Sequence, residues 1–141
     1  MKFPYLDDKK PLEFSSLALA YIGDAVYEVY VRAYLLEGGN IPVNKLHKLS
    51  IGYVCAGAQS NIVHNLEEHL TEEEIAVYKR GRNAHSNTSA KNAGIVDYRH
   101  ATGFEALIGY LFISKNYDRL GEIIRLSFEI VNRDTEEESN E

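Results

Sequence analysis

Glycines and prolines cut this chain into pieces of helical length, and within each piece the apolar residues recur at helical spacing. No stretch alternates apolar and polar residues as a half-buried strand would. The pattern predicts an all-α fold of five to seven helices. Ser15 or Ser16 caps a long run that reaches about Glu37 and is ended by Gly38-Gly39-Asn40. Leu17, Tyr21, Asp24 and Glu28 share one stripe of that run, at steps of four, three and four. Pro42 opens a shorter helix holding Leu46, Leu49 and Tyr53, and another is expected over 55–66. Thr71-Glu72-Glu73-Glu74 has the form of a capping box and starts a helix that runs towards Arg82. Residues 83–96 are rich in Asn, Ser, Thr, Ala and Gly and lack periodicity. They are expected to form a long loop, of the kind that is usually functional or mobile. The last two helices are expected over 98–114 and 117–133, the second amphipathic through Leu120, Ile123, Ile124, Phe128 and Val131.

A chain of 141 residues is enough for one domain with its own core and short for two. We expect an N-terminal extension over 1–13, a body over 14–133 and an acidic, disordered tail over 134–141, which holds no apolar residue. A single cysteine, Cys55, excludes a disulfide framework and a four-cysteine zinc site; it is expected to be a small buried apolar residue. No apolar run reaches the roughly 18 residues of a membrane span, and residues 1–10 lack the apolar centre of a signal peptide, so a cytoplasmic location is expected. The net charge of −6 misleads until it is divided. Five acids lie in the last eight residues; without them the balance is −1. Residues 79–100 carry Lys79, Arg80, Arg82, Lys91 and Arg99 against Asp97 alone. An acidic total of this kind does not exclude a polyanionic partner such as nucleic acid.

Two carboxylates sit in apolar surroundings. Asp24 follows Gly23 inside Ile22-Gly23-Asp24-Ala25-Val26. Glu105 lies between glycines in Gly103-Phe104-Glu105-Ala106-Leu107-Ile108-Gly109. Burying an unpaired carboxylate is costly, so each is either solvated or salt-bridged on a helix surface, or paired or metal-bound. If the two helices pack glycine against glycine, Asp24 and Glu105 face one another. Such a pair repels unless a proton or a cation lies between, and hard oxygen ligands suit Mg²⁺. Gly23 weakens its helix by roughly 1 kcal/mol relative to alanine, and a close helix approach or a ligand would account for it.

These residues carry a resemblance. Leu19-Ala20-Tyr21-Ile22-Gly23-Asp24-Ala25-Val26-Tyr27-Glu28 resembles the signature helix of the ribonuclease III family, and Phe104-Glu105-Ala106-Leu107-Ile108-Gly109 that family's second acidic helix. With Leu17-Ala18 ahead of the first motif and Lys79-Arg80-Gly81-Arg82-Asn83-Ala84 between the two, the chain resembles the short bacterial form, which has no separate double-stranded-RNA-binding module. The resemblance runs from about residue 17 to residue 114. It implies a dimeric, Mg²⁺-dependent endonuclease for double-stranded RNA with the family's helical endonuclease-domain fold. Asp24 matches the catalytic aspartate and Glu105 a second metal-binding carboxylate. Tyr21 falls where the family places an aromatic knob at the dimer interface. The usual task of the short form is trimming precursor large-subunit (23S) ribosomal RNA.

Two further carboxylates of the longer family members are absent: their positions hold Ala20 and Thr102. The remaining pair supports one Mg²⁺ more readily than two. The same absence motivates a second hypothesis, a catalytically inactive RNA-binding protein of this fold. A helical protein-interaction module is a third, and the joint retention of Asp24 and Glu105 argues against it. Glu28 and Asp97 are better read as a surface pair with Arg32 and as the cap of the helix near Tyr98. No activated Ser or Cys nucleophile stands out, which favours attack by Mg²⁺-activated water. A-form RNA hides its base edges, so contacts should go to phosphates and 2′-hydroxyls. Lys79, Arg80, Arg82, Asn83, Lys91 and Asn92 are the RNA-contact candidates, against the alternative of a solvated helix end and a polar loop. The five histidines lack the spacing of a zinc pair, and most of the ten tyrosines fall at helical positions that suit a core or a dimer interface.

Overall fold

A computed structural model describes residues 3–84 and 94–139. The described residues are all-helical: α1 (Ser16–Leu36), α2 (Val43–Val54), α3 (Ala56–Leu66), α4 (Glu72–Asn83), α5 (Gly94–Ile113) and α6 (Tyr117–Ser139), with short 3-10 turns at Pro11–Glu13 and Glu67–His69. The sequence signals at the helix starts act as expected. Ser15 caps α1 by accepting from the Ala18 N–H at 3.1 Å. Thr71 and Glu74 form a reciprocal box: the Glu74 N–H donates to Thr71 Oγ1 at 3.1 Å and the Thr71 N–H to Glu74 Oε1 at 2.9 Å. Glu74 is also buried against α6, where Arg119 grips it with two donors at 2.8 Å each.

α5 is the central helix. It is apolar on nearly every side, which is the pattern of a helix enclosed by others rather than one lying on a surface. Phe104, Leu107, Ile108 and Leu111 are fully buried against Tyr27 and Val31 of α1, Ile62 and Leu66 of α3, and Leu120 and Ile123 of α6. α1, α3 and α4 pack directly on α5; α6 closes the far side, and α2 lies on α1. Phe3 meets Phe112 edge-on, with ring centroids 5.2 Å apart, and Asp7 pairs with Lys115 at 2.8 Å, so the N-terminal segment folds back on the end of α5.

Four expectations are corrected. Asn83 is the last residue of α4, and α5 begins at Gly94, so both ends of the expected 83–96 loop are helical. Asp97 is therefore inside the first turn of α5, where a carboxylate favours the unpaired N–H groups, and is not the residue that precedes the helix. The helix α6 runs on to Ser139, through the first six residues of the tail expected to be disordered. Glutamates are good helix formers, and Asp134 is held by a hydrogen bond from Asn61 of α3. Cys55 is exposed; it is the extended residue that links α2 to α3 and lies on the buried face of neither. Among the described residues no helix is long and apolar enough to cross a membrane.

Candidate active site

α1 and α5 cross where each has a glycine. A Cβ on Gly23 would stand 1.8 Å from the Glu105 carbonyl oxygen, and one on Gly109 would stand 2.0 Å from that of Leu19. No side chain fits at either point, so the two backbones touch. The contact sets Asp24, next to Gly23, beside Glu105. The two carboxylates share a shallow pocket with Ala20, Tyr21, Tyr98 and Thr102. Asp24 is exposed and Glu105 half-buried. The stripe of Leu17, Tyr21, Asp24 and Glu28 faces outward, opposite the buried stripe of Leu19, Ala20, Gly23, Tyr27 and Val31.

The electrostatics follow from that placement. Burial pushes the Glu105 carboxyl up to about 8, aided by a hydrogen bond with Asp24 and by repulsion from Asp24 and, more weakly, Glu28. The side chain of Gln59 works the other way, as a donor that favours the charged form. Glu28 itself is occupied by Arg32, at 3.0 Å, as its spacing implied. The two positions without carboxylates are closed: Ala20 is buried, and the Thr102 hydroxyl donates to the Tyr98 carbonyl at 2.9 Å. A carboxylate pair in which Glu105 is raised in this way suits a cation, which replaces the proton on Glu105. Among the described residues no third Asp, Glu, His or Cys joins them. A hard cation there has two protein oxygens and takes its other ligands from water and substrate phosphate.

The basic candidates divide. Lys79, Arg80 and Asn83, at the end of α4, line a groove with Ser15, Ser16 and Leu17. Leu17 also borders the acidic pocket, so the two depressions adjoin. Lys79 and Arg80 are exposed and form no ion pair with a described residue. Arg82 turns away; its guanidinium lies 5.7 Å over the Tyr78 ring and donates to Asn83 Oδ1 at 3.2 Å. Lys91 and Asn92 lie outside the described residues. Tyr21 is 85% exposed at the rim of the acidic pocket, an unusual position for a large aromatic side chain. Gln59 was missed from sequence. It occupies the apolar stripe of α3 with Ile62, Val63 and Leu66, and a lone amide in a core stripe was the available signal.

A carboxylate pair at a glycine-tight helix crossing, with a basic groove beside it, is an arrangement suited to a hard cation next to a bound polyanion. The family model described as "Ribonuclease III domain" matches residues 17–116. Among curated relatives, the Mini-ribonuclease 3 of Clostridium tetani is 51% identical over 130 residues, 92% of this chain and 84% of that protein. The Mini-ribonuclease 3 of Brevibacillus brevis is 53% identical over 115 residues, 82% of this chain and 86% of that one. A crystal structure of a Fusobacterium nucleatum protein superposes with a TM-score of 0.75 at 30% identity, covering 86% of this chain and 98% of the other. The chain belongs to the ribonuclease III family, in its Mini-ribonuclease 3 branch, and is an endoribonuclease.

Proposed function

We propose that this protein cleaves double-stranded RNA with Mg²⁺ held by Asp24 and Glu105, acts as a homodimer that meets through the Tyr21 face, and matures precursor 23S ribosomal RNA in the cytoplasm. The observation that carries the reading is the Asp24–Glu105 pair at the edge of the groove lined by Lys79 and Arg80. The relatives' name, Mini-ribonuclease 3, supports RNA as substrate. When bound, Mg²⁺ supplies charge neutralisation at the scissile phosphate and makes water a better nucleophile. The chain's own part is positioning. Asp24 and Glu105 would hold the cation from two helices whose backbones touch at Gly23 and Gly109. Lys79 and Arg80 hold the RNA backbone beside the carboxylates as point charges, without reading bases. Asn83 adds a neutral donor to the same groove. Arg82 contributes by buttressing the helix end through Tyr78. A two-fold axis would give the dimer one such site for each RNA strand.

Cleavage of long double-stranded RNA, with Mg²⁺ or with chelator, tests this for wild type beside Asp24→Asn. Cutting should need both the metal and Asp24, with the variant slowed by at least about a hundredfold while its circular dichroism is unchanged. Undiminished turnover in folded Asp24→Asn would remove the site assignment.

A further inference from the structure

α4 meets α5 at a second pair of glycines, separate from the crossing of α1 and α5. A Cβ on Gly81 would stand 2.8 Å from the Ala106 Cβ, 2.9 Å from the Gly103 Cα and 3.3 Å from the Thr102 carbonyl oxygen. A Cβ on Gly103 would stand 2.7 Å from the Tyr78 carbonyl oxygen and equally close to the Tyr78 ring. Carbon atoms in contact rest about 3.5–4.0 Å apart, so alanine at Gly81 drives the two helices apart by roughly 1 Å. Both glycines are buried, and each weakens its own helix relative to alanine. With alanine there, the helices would still make an apolar contact, at a more ordinary separation. What the close approach alone fixes is the offset between the groups that the two helices carry. Lys79 and Arg80 stand just before Gly81 and line the basic groove. Glu105 stands just beyond Gly103 and lines the acidic pocket. The other wall of the groove, Ser15, Ser16 and Leu17, belongs to α1, which Gly23 and Gly109 already tie to α5. Groove and pocket are thus both referred to α5, through contacts close to Glu105 on either side.

We infer that Gly81 is a positioning residue for cleavage: its contact with Gly103 and Ala106 sets how far Lys79 and Arg80 stand from Glu105, and so where along a held RNA backbone the carboxylates meet a phosphate. A misplacement of about 1 Å can cost about a hundredfold in rate although no reacting group is touched. Lys79 and Arg80 are long and exposed, so they follow a phosphate through such a displacement, and binding survives it. The inference rests on the reading of the groove as the RNA site and of Asp24 and Glu105 as the metal-holding pair.

The test is Gly81→Ala, alone and combined with Ala106→Gly, which removes the 2.8 Å clash and leaves the 2.9 Å one. The Kd for duplex RNA in chelator, the Kd for Mn²⁺ by calorimetry without RNA, and the cleavage rate at saturating RNA are measured well below each melting temperature. Gly81→Ala should keep both Kd values within about twofold and cut about tenfold or more slowly, with the double variant in between. A merely structural role would lower the three readouts together, by the fraction of protein unfolded. Folded Gly81→Ala with the wild-type rate overturns the inference, as does a loss of rate matched by an equal loss of RNA affinity. Should neither variant fold, Arg80→Lys decides, because this exposed substitution keeps the charge and shortens its reach. It should hold the Kd for RNA within about twofold and slow cleavage; a wild-type rate overturns the inference. Undiminished RNA affinity in Lys79→Ala and Arg80→Ala, or full activity in Asp24→Asn, would instead strike the reading of the groove and the site, so the two failures are distinguishable.

Discussion

Glu105 is the residue at which the electrostatics of the site and the stability of the fold meet. Its carboxyl is raised from an ordinary value near 4.5 to about 8, first by burial and then by Asp24. Between those values the folded protein keeps a proton that the unfolded chain has released. The stability contributed by neutral Glu105 is therefore complete below about 4.5 and is lost as pH rises through 8. Glu105→Gln, neutral at every pH, should leave the melting temperature near wild type at about pH 5 and raise it relative to wild type at about pH 8.5, both in chelator. The same difference at both pH values would contradict the assignment. A divalent cation competes with that proton, so its affinity should increase over the same interval in wild type. Nothing in the local sequence reveals this shift. Asp24 and Glu105 lie on different helices, and only their packing makes one carboxyl the other's neighbour.

At the scale of elements, the crossing of α1 and α5 is the feature on which the site depends. Gly23→Ala should gain about 1 kcal/mol of helix propensity and lose more, because its Cβ would stand 1.8 Å from the Glu105 carbonyl oxygen and the helices must part. Urea unfolding should show a net loss of about 2 kcal/mol, and cleavage should fall with it as the carboxylates separate. Gly121 of α6 is the control: no atom lies within 4 Å of its would-be Cβ, so Gly121→Ala should stabilise by about 0.5–1 kcal/mol. A Gly23→Ala variant as stable and active as wild type would show that the crossing can relax. Element ends were legible where a side chain acts on its own helix, as at Ser15 and the Thr71–Glu74 box. They were misread where the neighbourhood decides. Gly94–Val96 resembled loop by composition, and the acidic segment after Arg133 resembled a free tail although α3 reaches out to Asp134.

For the whole molecule, the basic groove and the exposed Tyr21 make separate predictions. If RNA binds through Lys79 and Arg80 as proposed, binding is charge neutralisation with counterion release, and duplex affinity should fall linearly with the logarithm of salt concentration. Lys79→Ala and Arg80→Ala should each weaken binding in chelator for all duplex sequences alike and reduce the salt slope by about one. An unchanged slope would place the RNA elsewhere. Tyr21→Ala should shift the protein towards monomer in sedimentation velocity while leaving the helical content intact. A variant that sediments as wild type would assign Tyr21 a role other than assembly.

The sequence by itself determined the helical class and most helix starts, and singled out Asp24 and Glu105 as acids in apolar surroundings, because caps, breaks and apolar periodicity act within a few residues along the chain. It also marked the glycines beside both acids as positions that needed a reason. Only the tertiary structure decided that those glycines bring two backbones into contact, that Thr102 is tied to Tyr98, that Arg82 lies over Tyr78 while Lys79 and Arg80 face the groove, and that the Gln59 amide is buried on the Val54 carbonyl. These are relations between helices far apart in sequence. They are set by which faces exclude water and by what space remains between them, quantities that a one-dimensional pattern does not contain.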